Sequence, residues 1–226
     1  DANGSANQQL LDIESIAFDD IDILIVNPVE QSAGNMSALQ TRIDEIVQMG
    51  IPVILVGNRT PEATYTTYVG HDPYEIGCVM GQEMTSLVDG EGSIGVINSI
   101  DLSVADELFK AGERAVFADF PSILFTAEGP TNYSRISASN YTRSVEVIGI
   151  MGYVHEIALG AQDGLALQNV PYAPFVSDNG ISLAQFALDN NIEGVFVTAN
   201  TQMGAQAVQT ALAILQGESV NQFVRI

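Results

Sequence analysis

The sequence predicts an α/β protein whose sheets are mainly parallel. Two observations predict this class: short apolar runs rich in β-branched residues recur along the chain, and segments with helical periodicity separate them. Strands that alternate with helices of about 10 to 15 residues form βαβ units, whose strands are parallel and covered on both faces. Hydrophobic residues make up 46% of the 226 residues, so the chain can fill the core that such sheets need.

In the first half of the chain, the predicted strands and helices begin or end at residues that are common at strand and helix ends. The first strand stops at Asn27-Pro28, a breaker pair, and Gly50 suits the C-terminal end of the first helix. Asp72 and Pro73 fit the N-cap and the first turn of the next helix. In chain order we predict a strand at 21–27, a helix at 37–49, strands at 52–57 and 66–69, and a helix from 72 to about 88.

The second half repeats the alternation, and its last helix stops just before Gly217, a residue that commonly follows a helix end. Its predicted strands are 93–98, 123–126, 145–151, 172–176, 194–198 and 220–226, and its predicted helices are 103–117, 157–167, 181–188 and 202–215. This order extends the parallel α/β pattern over the whole chain.

Charge and composition exclude several classes of function. The chain has 28 Asp and Glu against 7 Lys and Arg, a net charge of −21, which argues against binding to nucleic acid or to anionic lipid. Cys78 is the only cysteine, and His71 and His155 lie far apart in the sequence, so we expect neither a disulfide nor a metal site. The chain has no apolar run of about 18 residues, so we expect no insertion into a membrane. It also has no nucleotide-binding glycine motif and no catalytic triad motif, so we expect neither a cofactor nor enzymatic activity.

One short pattern favours a secreted protein. The acceptor triplet Asn-X-Ser/Thr for N-linked glycans occurs five times, and none of the five has proline at its centre. The candidate glycosylation residues are Asn3, Asn35, Asn58, Asn132 and Asn140. Coincidence in a chain rich in Asn and Thr stays an equal alternative, because the motif is short.

Seven segments, in the same order and at similar spacing, resemble one known family. They are DANG at 1–4, IDILIVNPVE at 21–30, GIPVILV at 50–56, VGHDPYEIG at 69–77, ALGA at 158–161, TQMGA at 201–205 and LQGE at 215–218. Together they resemble the type I periplasmic sugar-binding proteins, such as those for ribose. The core of lac-repressor-type regulators shares the architecture, but a net charge of −21 does not suit a protein that binds DNA.

The resemblance implies two doubly wound parallel-sheet lobes joined by a hinge. The first lobe would comprise residues 1–71 and 199–221, and the second would comprise 72–198 and 222–226, with crossovers near 70–72, 198–200 and 221–223. Family members bind a small ligand between the lobes, where the carboxyl ends of the strands meet. The match begins at the family's second strand. We therefore expect the first lobe to lack its first strand, helix and second strand, and we expect an upstream segment or another chain to supply a strand beside residues 23–26.

The resemblance assigns ligand contacts to residues at strand ends and helix starts. They are Asn27, Asn58, Arg59, Asp72, Tyr133 and Asp178. An amide can both donate to and accept from a sugar hydroxyl, a carboxylate accepts two hydroxyls, a guanidinium offers a planar fork, and an aromatic ring stacks on a sugar face.

Each of these residues also has a purely structural interpretation. Asn27 would merely end a strand, Asn58 and Arg59 would lie in a solvated loop, and Tyr133 would be a surface residue. For Asp72 a helix cap without a ligand is favoured, whereas for Asp178 ligand binding is slightly favoured over a turn. His155, where the family has Asn or Asp, is interpreted as the first residue of a helix.

Two positions depart from the family pattern. Leu108 stands where an arginine is usual, and Thr198 stands where the ribose binders have a glutamine. The chain also has no tryptophan. We therefore expect a ligand other than ribose in its usual pose.

The sequence supports one function and leaves one alternative open. We expect an extracellular or periplasmic solute-binding protein that holds a small polar ligand, by resemblance a carbohydrate, and presents it to a membrane transporter or sensor. The alternative is a structural or interaction glycoprotein that keeps the fold without a ligand and assembles with copies of itself.

Overall fold

The computed structural model describes residues 3–16, 20–29, 37–58, 64–98, 104–143, 145–198 and 202–226. The chain divides into two compact units, one of Asp1–Asp72 with Asn200–Ile226 and the other of Pro73–Ala199. Each unit has its own parallel sheet. The prediction of an α/β protein with two sets of parallel strands is confirmed.

The first unit contains a four-stranded parallel sheet between helices. Its helices are α1 (Ala6–Glu14), α2 (Ser37–Gln48) and α8 (Met203–Leu215), and its strands are β1 (Leu24–Val26), β2 (Val53–Val56), β3 (Thr67–Gly70) and β9 (Phe223–Arg225). The strand order is β1-β2-β3-β9. Among the described strands β1 lies at the edge of this sheet, and the expected additional strand beside it stays a prediction.

Alternate residues of β2 explain why helices cover both faces of this sheet. Val53 and Leu55 pack against α1 and α2, whereas Ile54 and Val56 pack against α8. All four side chains are buried, and the first three have no exposed surface. A parallel strand that is apolar at every position needs cover on both faces, and the sequence of β2 meets that requirement.

The last strand differs from its predicted place. Residues 222–226 were expected in the second lobe after a third crossover near 221–223, but β9 pairs with β3 in the first unit. The ring of Phe223 stacks on Tyr68 at 5.3 Å between centroids, and the carbonyl oxygen of Ile226 lies 3.1 Å from Nδ1 of His71. These contacts and the backbone ladder hold the strand in the first sheet.

The helix α1 was not predicted. Ser5 is its N-cap, and the Ser5 hydroxyl accepts a hydrogen bond from the backbone N–H of Gln8. Ile13 is the buried residue of this helix, and it packs against the first sheet. With one buried residue in nine, the helix shows only a weak apolar stripe, which explains why periodicity did not reveal it.

The second unit contains a five-stranded parallel sheet, also between helices. Its helices are α3 (Pro73–Leu87), α4 (Val104–Phe117), α5 (Arg135–Thr142), α6 (His155–Leu167) and α7 (Ile181–Asn190). Its strands are β4 (Gly92–Asn98), β5 (Ile123–Pro130), β6 (Gly149–Gly152), β7 (Phe175–Ser177) and β8 (Gly194–Phe196), in the order β5-β4-β6-β7-β8. The helix α5 was not predicted, and β5 extends past the predicted end at residue 126.

Alternation along β6 and β7 again directs side chains to two cores. Ile150 and Phe175 face the core formed with α5, α6 and α7, whereas Met151 and Val176 face the core formed with α3 and α4. All four are fully buried. Helices on both faces of a parallel sheet make the second unit doubly wound.

Two glycines allow α3 and α4 to approach closely. A Cβ atom added at Gly77 would overlap the carbonyl oxygen of Phe109, and one added at Gly112 would overlap the carbonyl oxygen of Tyr74. The thiol of Cys78 lies in the same contact and donates to the carbonyl oxygen of Gly112 at 3.5 Å. The distance between the two helices therefore depends on the absence of a side chain at both glycine positions.

We expect Gly112→Ala to lower the free energy of unfolding by about 1 to 3 kcal/mol, because the new methyl group must displace the α3 backbone. Denaturant unfolding followed by circular dichroism measures this change. The matched control is Gly204→Ala in α8, where a Cβ atom would meet nothing within 4 Å. The control should leave stability unchanged or raise it by up to about 1 kcal/mol. Equal unfolding midpoints for the two variants would contradict the close-packing argument.

Candidate ligand-binding site

Asp178 lies at the carboxyl end of β7 and caps the neighbouring helix α6. Its Oδ1 atom accepts a hydrogen bond from the backbone N–H of His155 at 2.5 Å. Val154 occupies the N-cap position of α6 and offers no side-chain hydrogen bond, so the carboxylate of Asp178 takes the place of a local cap. A negative charge at this position also interacts favourably with the helix dipole. The Oδ2 atom takes no part in this bond.

Burial raises the pKa of the Asp178 carboxyl above its ordinary value. The hydrogen bond from the His155 backbone N–H and the attraction to the His155 ring oppose this rise but do not cancel it. The side chain is 40% exposed, so the carboxylate is partly removed from water yet still accessible. A partly desolvated carboxylate at a strand end is a candidate functional group, in addition to its role as the cap of α6.

A small cavity of about 310 Å³ lies next to Asp178 along the chain. Its lining residues are Asn179, Gly180, Ile181, Ala184 and Phe196, at the start of α7 and the end of β8. Ile181 is 91% exposed at this position. Apolar walls close to an accessible carboxylate can take a small molecule that has hydroxyl groups on one side and C–H groups on another.

The first unit also gathers polar groups at its strand ends. Asn27 follows β1 and is exposed, and it lies against Gly57, whose φ of +75° places it in the left-handed region. The backbone carbonyl of Asn27 accepts from the side chain of Gln9 at 2.7 Å, and Gln9 in turn accepts from the N–H of Val29 at 2.9 Å. This clamp fixes the loop after β1 and presents the amide of Asn27 at its surface.

Asn58 already has a structural partner. Its Nδ2 atom donates to the carbonyl oxygen of Pro28 at 2.9 Å, so it joins the loops after β1 and β2. The structure therefore brings Asn27 and Asn58 together at one edge of the first sheet, but the amide of Asn58 is hydrogen-bonded to the loop after β1. The next candidate, Arg59, lies outside the described residues, as does the glycosylation candidate Asn35.

Asp72 lies at the start of a helix, and Tyr133 follows the end of a strand. Asp72 follows β3 and directly precedes α3. Tyr133 follows β5 in a turn where Asn132 and Tyr133 both have positive φ angles, and its ring is 45% exposed. In the second sheet β5 and β7 are three strand spacings apart, about 14 Å, and Tyr133 and Asp178 follow the carboxyl ends of these two strands.

The glycosylation candidates stay predictions. Asn3 and Asn140 are exposed, and Asn140 lies on α5, whose last residue Thr142 is buried and donates to the carbonyl oxygen of Ala161 at 2.8 Å. Asn132 is exposed in the turn before that helix.

Two further findings concern the described residues as a whole. No helix among them is long and apolar enough to span a bilayer. Within the same residues, no group of three or more His, Cys, Asp or Glu side chains could hold a metal ion.

A family model described as a periplasmic binding protein domain matches residues 1–219. The chain belongs to this family. This result confirms the resemblance found in the sequence. It also agrees with the two sets of parallel strands.

Two relatives of this family member have assigned ligands. A ribose import binding protein of Escherichia coli is 24% identical over 97% of this chain and 74% of its own length. A xylitol-binding protein of Mycolicibacterium smegmatis is 23% identical over 97% of this chain, which spans 63% of that relative. Both relatives are named as binding proteins.

Solved structures show the same fold for this family member. The fructose-binding periplasmic domain of a hybrid two-component system has a TM-score of 0.81 and 22% identity, and the match covers 99% of this chain and 75% of that one. A solute-binding protein of Bacillus halodurans with bound myo-inositol has a TM-score of 0.83 and 20% identity, over 100% of this chain and 79% of that one. At these identities the similarity establishes the architecture.

We expect Asp178→Asn to keep the cap of α6 and to remove the partly buried charge. Because the pKa of Asp178 is raised in the folded state, the folded protein binds the proton more tightly than the unfolded chain. The wild type therefore loses stability as pH rises from the ordinary value of 3.8 through the raised value. At neutral pH the variant should melt at the same temperature as the wild type or higher, and this difference should shrink in acid.

Thermal melting at a series of pH values tests this expectation. The control is Asp189→Asn on α7, where the aspartate is exposed and accepts from Gln185 of its own helix. This control should change the melting temperature little at any pH. A large loss of stability in Asp178→Asn at neutral pH would show that the charge itself, rather than the acceptor oxygen, holds α6 in place.

Proposed function

We propose that the protein is an extracytoplasmic solute-binding protein, without enzymatic activity, whose ligand is a sugar or a polyol. The observation that carries this proposal is the Asp178 carboxylate, which is partly buried, has a raised pKa, and uses only Oδ1 to cap α6. Partial removal of this carboxylate from water is unfavourable. A carboxylate acceptor at the carboxyl edge of a parallel sheet fits a ligand that carries hydroxyl groups.

The chemistry of the surroundings favours a neutral ligand. With a net charge of −21, the chain repels anions, and the carboxylate of Asp178 accepts hydrogen bonds but offers none while it is ionised. Vicinal hydroxyls suit such an acceptor, and the apolar atoms of Ile181 and Phe196 suit the C–H face of a sugar ring or polyol chain. The relatives named for ribose and xylitol, and the solved structures named for fructose and myo-inositol, support this class.

Membership of the family supports the place and the partners of this function. The matched family is one of periplasmic binding proteins, and one relative is named as an import protein while one solved structure belongs to a two-component system. We therefore propose a location outside the cytoplasm and a membrane transporter or sensor as the protein partner.

One observation favours the alternative of a glycoprotein without a ligand. The amide of Asn58, expected to contact a ligand, instead holds the loop after β1 through Pro28. Under this alternative the strand-end residues serve loop structure only, and the exposed residues Asn132 and Asn140 carry glycans. Mass spectrometry of the protein from its native source, with and without a glycosidase, distinguishes the two candidates when combined with the binding experiment below.

We expect at least one member of a panel of D-ribose, L-arabinose, D-fructose, D-allose, xylitol and myo-inositol to raise the melting temperature. A ligand at 100 times its Kd stabilises the folded state by about 2.7 kcal/mol. For a chain of this size that corresponds to a rise of roughly 5 to 10 °C. Asp178→Ala should weaken the binding roughly 10- to 100-fold, which is the typical cost of losing a hydrogen bond to a charged group.

Asp189→Ala serves as the control for the loss of a carboxylate on the same unit, and Asn27→Ala tests the candidate in the first unit. Calorimetric titration of each variant with the sugar that binds the wild type gives the affinities. The proposal fails if no member of the panel binds, or if Asp178→Ala binds as tightly as the wild type does.

A further inference from the structure

The ring of His155 fills a defined place between Asp178 and Gly180. Its Nδ1 atom lies 3.3 Å from Oδ1 of Asp178 and, among the described residues, has no hydrogen-bond partner although it is buried. On the other side, a Cβ atom at Gly180 would overlap the ring at Cγ. The backbone N–H of the same histidine already donates to this Oδ1 atom. One residue therefore directs two nitrogen atoms at a single carboxylate oxygen.

We propose that His155 is the positioning residue of the ligand site, which holds Oδ1 of Asp178 so that Oδ2 is presented to the ligand. The proposal rests on the proposed function, because it concerns the same carboxylate. A carboxylate that is fixed before binding loses less rotational freedom when the ligand arrives, and affinity rises accordingly.

The environment of Asp178 shows why the backbone bond alone does not fix the carboxylate. A single hydrogen bond to Oδ1 leaves the carboxyl group free to turn about that contact, whereas a second donor on the same oxygen restricts the turn. The Nδ1 atom lies 3.3 Å from Oδ1, close to the distance at which an imidazole N–H donates to a carboxylate. The side chain of His155 is 29% exposed, so protein groups restrict that ring over most of its surface.

Gly180 supplies the space that the ring occupies. Its φ angle is −152°, an extended conformation that any residue adopts, so the backbone does not demand glycine at this position. Glycine is needed at this position because an added Cβ atom would overlap the imidazole ring of His155. The glycine at 180 and the histidine at 155 therefore form one steric pair, and a side chain at 180 would push the ring away from Asp178.

The charged groups around the ring favour the orientation in which Nδ1 faces Asp178. The other ring nitrogen, Nε2, lies 3.8 Å from Oε1 of Glu156 on the same helix. Arg135 on α5 approaches Glu156 at 3.9 Å and pairs more closely with Asp163 at 2.7 Å. Each ring nitrogen thus faces one carboxylate, and the guanidinium partly balances the carboxylate on the outer side.

Two substitutions separate a positioning role from simple packing. The side-chain nitrogen of His155→Asn can lie where Nδ1 lies and can still donate to Oδ1, whereas the amide of His155→Gln reaches toward Glu156 instead. Gly180→Ala leaves the histidine in the sequence but displaces its ring. Circular dichroism and the melting temperature show whether each variant keeps the fold.

The first readout is affinity for the panel sugar that binds the wild type, measured by calorimetric titration. We expect His155→Gln and Gly180→Ala to weaken binding roughly tenfold, and His155→Asn to stay within about threefold of the wild type, since only the last variant keeps a nitrogen that can donate to Oδ1 of Asp178. A merely structural histidine would lower the melting temperature in all variants without this order of affinities. Equal affinity of His155→Gln and the wild type would overturn the proposal.

The second readout requires no ligand and follows the carboxyl carbon of Asp178 by NMR during an acid titration. His155 opposes the rise of the pKa of Asp178, so removal of the ring should raise that pKa further, and more in His155→Gln than in His155→Asn. If no panel sugar binds the wild type, the proposed function fails, while this titration still decides whether His155 holds the carboxylate. An unchanged titration of Asp178 in His155→Gln would overturn the positioning role.

Discussion

Parallel pairing of short strands that are buried on both faces is the constraint on which both units depend. Each such strand needs apolar cover above and below, so helices must pack on both sides of each sheet. The same arrangement aligns the carboxyl ends of the strands with the starts of the following helices. Backbone N–H groups at those helix starts need acceptors, and Asp178 supplies one to α6. A single requirement of the sheet thus determines where the cores lie and where polar side chains collect.

The sequence was sufficient for elements whose signal is local. Fully apolar runs such as β2 and helices with a clear stripe such as α2 could be predicted because every residue that defines them lies within the run. The helices α1 and α5 were missed, since each is short and has one buried apolar residue, Ile13 in α1 and Ala138 in α5. The place of β9 could not be predicted either, because it depends on Tyr68, about 155 positions away in the chain.

The candidate residues likewise divide into those with a local sequence signal and those whose role depends on distant partners. Asp178 and Asn27 could be predicted from strand-end positions and from the family resemblance. The roles of Gln9, Asn58 and His155 could not, because their partners lie 18, 30 and 23 positions away along the chain. A histidine at a helix start gives no local sign that it contacts a carboxylate on the neighbouring strand. The sequence contained one sign of this contact, the glycine at 180. Its role can be recognised only when the position of the His155 ring beside it is known.

The close contact of α3 with α4 has a consequence for mutational tolerance. Gly77 and Gly112 each face the backbone of the opposite helix, so a larger residue at either position requires the whole helix pair to separate. Neither position can accept a conservative exchange by repacking side chains alone, because the obstacle is main chain. A side chain at either glycine would therefore disturb the same contact between the two helices. Substitutions in this part of the fold are tolerated better on the exposed faces of α3 and α4.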